Sequence, residues 1–309
     1  MAIAFTFPGQ GSQSVGMGKA LADAFPEARR VFEEVDEALG EKLSQVIWEG
    51  PEDRLTLTAN AQPALMAVSL AAVRALESRG FSIKDKVAYV AGHSLGEYSA
   101  LCAAGMFSVA DTARLLRLRG NAMQAAVPVG EGAMAAILGL DQQAVEDACR
   151  EAGCQIANDN GAGQVVISGA KAAVEEAARL CTEKGAKRAL MLQVSAPFHS
   201  ALMAPAADAM RDALAKVARN APVVPVVSNV VVAPLSDPDE IAQRLVEQVT
   251  GRVRWRETVE WFAANGVTTL YEIGAGKVLS GLAKRIARDV ATVNVSAPAD
   301  VDAALPALG

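Results

Sequence analysis

The chain has 309 residues, about two average domains by length. Hydrophobic residues make up 51% and charged residues 21%, with both signs interleaved, a composition that excludes disorder and fits a folded globular protein. Aromatics are only 5% and the net charge is −6, so there is neither a stacking platform for single strands nor a global basic field for DNA or RNA. The first residues, MAIAFTFPGQG, lack a basic n-region and their apolar run stops at Pro8, which does not read as a secretory signal. The later apolar run over 221–235 contains three prolines plus Ser228 and Asn229 and is too short to span a bilayer, so no membrane association is expected. Cys102, Cys149, Cys154 and Cys181 are irregularly spaced and the chain has two histidines, which argues against a disulfide framework and against a metal site; a reducing cytoplasm is the expected compartment.

In chain order, the spacing predicts a strand over 3–7, an amphipathic helix over 61–78 closed by Gly80, and a strand over 87–90. A helix follows over 97–104 and another over 111–126. Pro128, Gly130 and Gly132 mark a break, after which the pattern changes. Strands are expected over 133–138, 155–157, 164–168 and 188–194, and helices over 141–151, capped by Asp141, and 171–184. That order, β-α-β-β-α-β, is the split, ferredoxin-like arrangement. Helix over 201–217, strand over 223–228, helices over 240–249 and 257–264, strands over 268–273 and 292–295 and a helix over 277–288 complete the reading. The fold class is therefore α/β: residues 1–127 and 200–309 form one discontinuous domain, interrupted by a small domain over 128–199.

Gly92-His93-Ser94-Leu95-Gly96 matches G-x-S-x-G, with an apolar strand before it and an Ala-rich helix after it. That context lifts a serine hydroxyl clear of the sheet and aims a helix N-terminus at an oxyanion forming there. A serine needs a base, and His93 and His199 are the two imidazoles. His93 adjoins the serine on the turn and should point elsewhere, which leaves His199. In a standard α/β-hydrolase the histidine lies near the C-terminus, yet more than one hundred residues follow His199, so a plain esterase is disfavoured. Oxyanion donors would be the Leu95 N–H and one from the loop Pro8-Gly9-Gln10-Gly11. On the helix over 111–126, Leu115, Leu118, Ala122 and Met123 form one face, and Arg119 falls among them. A guanidinium on an apolar face must be paired, either in a structural salt bridge or with a substrate carboxylate.

PGQGSQ at 8–13, AGHSLGEYSAL at 91–101, RGNAMQ at 119–124, VSAPFHS at 194–200 and EIGAGKVLSGL at 272–282 together resemble the malonyl-CoA:acyl carrier protein transacylases of bacterial fatty-acid synthesis, across nearly the whole chain. The resemblance implies a hydrolase-like α/β domain carrying a ferredoxin-like insertion, with malonyl-CoA as substrate and no bound cofactor. It implies that Ser94 accepts the acyl group with His199 as base, and that a backbone carbonyl, expected at Arg254, replaces the acid of a triad. Gln10 and Leu95 would supply the oxyanion N–H groups and Arg119 would hold the malonyl carboxylate. Asn160 would be an active-site hydrogen-bonding residue, and Phe198 would disfavour an α-methyl branch. Ala275 stands where the family commonly has proline. The partner would be an acidic acyl carrier protein docked on a basic rim, with Lys187 and Arg188 or Lys284 and Arg285 as the expected contacts; the chain is expected to be a monomer. The alternative is a serine thioesterase or esterase using the same dyad and releasing the acyl group to water.

Overall fold

The computed structural model describes residues 2–161, 163–194 and 196–308; Ser195 of the 194–200 motif lies outside them. The strands are β1 (Ala2–Phe7), β2 (Tyr89–Gly92), β3 (Gly132–Leu138), β4 (Gln155–Asp159), β5 (Gln164–Ala170), β6 (Arg188–Met191), β7 (Val226–Val227), β8 (Pro234–Leu235), β9 (Val267–Ile273) and β10 (Ala291–Val295). They form two sheets. The larger has six strands in the order β10-β9-β1-β2-β7-β8, with all pairs parallel except β7 with β8. Its central strand β1 is buried on both sides: Phe5 and Phe7 pack into one apolar cluster and Ala4 into another. This is why the sequence there is a continuous apolar run and not an alternating one.

The smaller sheet is antiparallel, in the order β4-β5-β3-β6. With the helices Gln142–Ala152 and Lys171–Glu183 between its strands, it is a ferredoxin-like unit. Successive side chains of a strand point to opposite faces. Accordingly Ala133, Ala135, Ile137, Val165 and Ile167 pack on the two helices, while Met134, Gln164 and Val166 face a cleft. The Asp141 side chain caps the first helix, accepting from the Gln143 N–H at 2.9 Å.

The two units are joined at the edge strand β4. Val253 N–H donates to Ala157 O at 2.8 Å and Asp159 N–H to Val253 O at 2.9 Å. Beside them Arg256 pairs with the buried Asp159 at 2.9 Å, and Arg252 with Glu146 at 2.7 Å. Among the described residues no helix is long and apolar enough to cross a membrane.

Several element limits differ from the sequence reading. The strand expected over 87–90 begins at Tyr89, because Ile83–Lys86 forms a helical turn just before it. The strand expected over 188–194 stops at Met191, and that over 223–228 is reduced to Val226–Val227 by Pro225. The helix expected over 201–217 begins as a 3₁₀ turn, Ala201–Met203, and continues as Ala204–Leu214 with proline in its first turn. On the helix Val109–Ala125, Leu116 is buried and Leu118 is 38% exposed, so the apolar face is rotated from the expected one while still containing Arg119.

Candidate active site

Ser94 stands between the end of β2 and the helix Gly96–Ala103 with φ 54°, a left-handed conformation that a non-glycine residue holds only where its surroundings enforce it. Flanking glycines make the turn possible. A Cβ on Gly92 would lie 1.9 Å from the main chain of Gly96, and one on Gly96 would lie 2.2 Å from Phe7 O. The serine N–H donates to Asn229 Oδ1 at 2.8 Å, and the Asn229 amide donates to Gly92 O at 2.7 Å, which braces the turn from the side of β7.

Ser94 Oγ lies 2.7 Å from His199 Nε2. On the other side of the ring, His199 Nδ1 faces Gln248 O at 2.8 Å and Gly251 O at 3.1 Å. Carbonyl oxygens can only accept, so Nδ1 carries the proton and Nε2 offers its lone pair to the serine hydroxyl. Burial, and after it the positive field of Arg119, lowers the His199 pKa to about 3, which keeps the imidazole neutral and able to take a proton.

The expected acceptor, the Arg254 carbonyl, is not the one His199 uses. Arg254 caps the helix Trp255–Ala264, and its oxygen is taken by Thr258 N–H and Thr258 Oγ1, each at 3.0 Å. Gln248 and Gly251 lie instead at the end of the helix Pro238–Thr250, where main-chain carbonyls have no partner further along the helix and are free for the imidazole.

Arg119 is 1% exposed. Its Nη1 donates to Gln62 Oε1 at 2.8 Å; its Nη2 donates to Gln248 Oε1 at 2.9 Å and to Ser94 Oγ at 3.2 Å. The guanidinium carbon lies 5.7 Å from the centre of the Tyr98 ring. Among the described residues its Nε–H has no hydrogen-bond partner and Arg119 makes no ion pair, which removes the structural salt bridge as an account of this residue. Burial lowers its pKa, yet a guanidinium stays protonated in proteins. The result is a buried cation held by neutral hydrogen-bond acceptors with no anion in contact; the Glu97 carboxylate acts on it only through space.

These groups line a cleft of 390 Å³ together with Gln10, Leu95, Asn160 and Phe198. The main-chain N–H groups of Gln10 and Leu95 have no acceptor among the described residues. The Gln10 side chain turns away to Thr58 Oγ1 at 3.1 Å. Asn160 Oδ1 is 2.9 Å from His93 Nε2, and the His93 ring lies 5.7 Å from that of Trp255. His93 therefore points away from the nucleophile and ties the serine turn to the small sheet; its pKa is lowered by burial. Lys187, Arg188, Lys284 and Arg285 are exposed and do not line the cleft.

Four residues of the site escaped the sequence reading: the amides Gln62, Asn229 and Gln248, and Gly251 through its carbonyl. A signal existed for Asn229, since Ser228-Asn229 is a polar pair inside an apolar run, and for Gln62, a polar residue at the start of the mostly apolar helix Thr58–Glu77. None existed for the carbonyls of Gln248 and Gly251.

A serine on a strand-to-helix turn, a neutral histidine on its hydroxyl and free N–H groups at a helix start define the class of serine acyl-transfer sites. The family model described as acyl transferase domain matches residues 4–299, and the chain belongs to that family. It is 48% identical over 311 residues to the malonyl CoA-acyl carrier protein transacylase of Bacillus subtilis (strain 168), covering 99% of this chain and 97% of that one. The protein of the same name from Escherichia coli (strain K12) is 48% identical over 306 residues, with 98% of each chain covered. Among solved structures, an acyl-carrier-protein-S-malonyltransferase from Bartonella henselae superposes with TM-score 0.99 at 64% identity over 100% of both chains. A type II PKS acyl-carrier protein in complex with its malonyl-transacylase matches with TM-score 0.96 at 44% identity, over 99% of this chain and 100% of that one.

Proposed function

We propose that this chain moves a malonyl group from malonyl-CoA to the pantetheine thiol of an acyl carrier protein through a malonyl-serine intermediate. The observation that carries this reading is the buried Arg119 cation, without a carboxylate partner, 3.2 Å from a serine Oγ that already contacts a neutral histidine. A dicarboxylic thioester supplies the missing anion. An acetyl group would leave the cation unpaired, a mismatch that polar sites can exploit for about 10⁴-fold discrimination.

In the first half-reaction Ser94 Oγ attacks the thioester carbon as its proton passes to His199 Nε2. The carbonyls of Gln248 and Gly251 stabilise the imidazolium through Nδ1–H. The oxyanion falls to the N–H groups of Leu95 and Gln10. The C–S bond then breaks, and the CoA sulfur leaves with the proton from His199. In the second half-reaction the carrier thiol gives its proton to His199, attacks the ester carbon, and the serine alkoxide recovers the proton. Asn160 acts through His93 to hold the turn, and Phe198, next to His199 in the cleft wall, narrows the space for an α-methyl branch.

The carrier protein meets the mouth of the cleft. Lys187 immediately precedes β6 and Arg188 begins it, and the strand continues into the cleft-lining residues Leu192, Gln193 and Val194; Lys284 and Arg285 stand on the helix Val278–Ile286, whose Val278, Leu279 and Leu282 line the cleft. None of the four makes an ion pair among the described residues, so all are available to an acidic partner. We take residues 128–199 as an inserted unit within a discontinuous domain of 1–127 and 200–309, and the protein as a monomer. Its four cysteines are free and buried, in keeping with a reducing cytoplasm.

Intact-protein mass after brief exposure to malonyl-CoA, without acceptor thiol, tests the reading. A malonyl adduct that is absent in Ser94→Ala and discharged by a phosphopantetheinylated carrier protein is expected. CoA release without an adduct would move the assignment to hydrolysis.

A further inference from the structure

Glu97 has no part in the transfer just described, yet it is 1% exposed and lies in the first turn of the helix that Ser94 precedes. It makes no ion pair among the described residues. A carboxylate is kept in such a place only where hydrogen bonds satisfy it. Its Oε2 accepts from Gln248 Nε2 at 2.7 Å and from Asn229 N–H at 3.3 Å.

The other end of the same Gln248 amide meets Arg119. Gln248 Oε1 accepts from Arg119 Nη2 at 2.9 Å. A guanidinium has only donors, so this contact exists only while the amide keeps its oxygen toward Arg119 and its NH₂ toward Glu97. Turned over, the amide would set donor against donor at the buried cation. Besides Glu97, Gln248 Nε2 meets Ser94 O at 3.0 Å and Asn229 Oδ1 at 3.4 Å. Glu97 Oε2, at 2.7 Å, is the shortest contact of the three.

We propose that Glu97 is a positioning residue for malonyl selectivity: by accepting from Gln248 Nε2 it locks that amide with its oxygen on Arg119, and so holds the guanidinium beside Ser94 Oγ. This rests on the reading that Arg119 receives the malonyl carboxylate. Burial raises the Glu97 pKa to about 7; in either protonation state one carboxyl oxygen remains an acceptor. Acceptor geometry and not charge is then the property that matters, and Glu97→Gln preserves it.

The test compares adduct formation on Ser94 from malonyl-CoA and from acetyl-CoA, by quenched intact-protein mass, in the full chain. Glu97→Ala is expected to raise KM for malonyl-CoA about tenfold, the size of one buried hydrogen bond, while kcat falls less than threefold. Acetyl loading, which brings no carboxylate to Arg119, should change less than threefold. Glu97→Gln should restore the malonyl KM to within threefold of wild type. Gln248→Met, which keeps the main-chain carbonyl and removes the amide, should reproduce the Glu97→Ala selectivity, and the double variant should lose no more. Equal losses for both donors, or Glu97→Gln as impaired as Glu97→Ala, would overturn the proposal. If Glu97→Ala fails to give a cooperative melt, Gln248→Met decides: a malonyl KM within twofold of wild type overturns it. Wild-type protein that takes up no malonyl group would remove the transfer reading and this one together. Normal wild-type loading with unshifted variants removes only the role of Glu97.

Discussion

The two sheets bury different things, and the chemistry follows the difference. In the six-stranded sheet β1 is covered on both faces, and the turns that leave the C-terminal ends of the neighbouring strands β1 and β2 carry Gln10 and Ser94. Because chain connections run outward in both directions from β1, toward β2 on one side and from β9 to β10 on the other, these ends form the crevice where open α/β sheets bind ligands. The four-stranded sheet is covered by helices on one face only, and its other face walls the cleft with Met134, Gln164 and Val166. Its strands supply no group that exchanges a proton; the base His199 stands on the loop after β6. A nucleophile must be held to a fraction of an ångström, which a doubly buried platform provides, whereas a half-covered sheet suffices to shape access.

That contrast is broken most sharply on the large sheet. Ser94→Ala should abolish the adduct and lower transfer by about 10³-fold or more, read by intact mass and by carrier-protein loading. Arg119→Ala should follow, with malonyl loading reduced about 10²-fold and the preference for malonyl over acetyl collapsing, because removing one member of a buried charge-assisted contact costs about 2–5 kcal/mol. Comparable loss for both donors would show that Arg119 serves the fold and not the carboxylate.

The acid limb of acylation offers a third cut. An ordinary histidine, pKa 6.5, would protonate and lose its basicity as pH falls through that value, but burial and the Arg119 field hold His199 near 3. The single-turnover rate of Ser94 acylation should therefore stay level from pH 8 to about pH 5. Arg119→Ala removes the second of these causes, so with acetyl-CoA its limb should move upward toward 6.5. A wild-type limb centred at 6.5 would contradict the buried, neutral state of His199.

What could be read in the sequence, and what could not, divides along the same physical line. Ser94 was legible because G-x-S-x-G came with the strand and helix that the turn requires, and Arg119 because a charge on an apolar helix face is conspicuous even when Leu118 is assigned to the wrong side. The ferredoxin-like unit was legible because its strand and helix signals follow one another in the order β-α-β-β-α-β after the break at Pro128, Gly130 and Gly132. The acceptor for His199 was not. It is a main-chain oxygen, which any residue type can supply, and it is free only because the helix Pro238–Thr250 ends where it does. The Arg254 carbonyl that the resemblance implied stands at a helix start and is consumed by Thr258. The amides Gln62, Asn229 and Gln248 were hidden for a related reason: they answer one another across the tertiary structure, and no local spacing encodes that.

The smallest expected effect lies where both units border the mouth of the cleft. Arg188 stands on the small sheet and Arg285 on a helix of the large domain, whose Nη2 reaches Gln164 Oε1 of β5 at 3.3 Å. Both are exposed, so in the proposed docking each acts through long-range attraction more than through a fixed contact. Arg188→Glu and Arg285→Glu should each raise KM for an acidic carrier protein about fivefold at 0.02 M salt. The gap to wild type should shrink toward twofold at 0.5 M, where the Debye length of about 4 Å screens exposed charges. An effect at Arg285 alone would place the partner on the large domain, whereas equal effects would have it straddle the two units, so that the half-covered sheet, which exchanges no proton, helps to choose the acceptor. A KM for the carrier protein that ignores salt in wild type and both variants would remove the basic rim altogether.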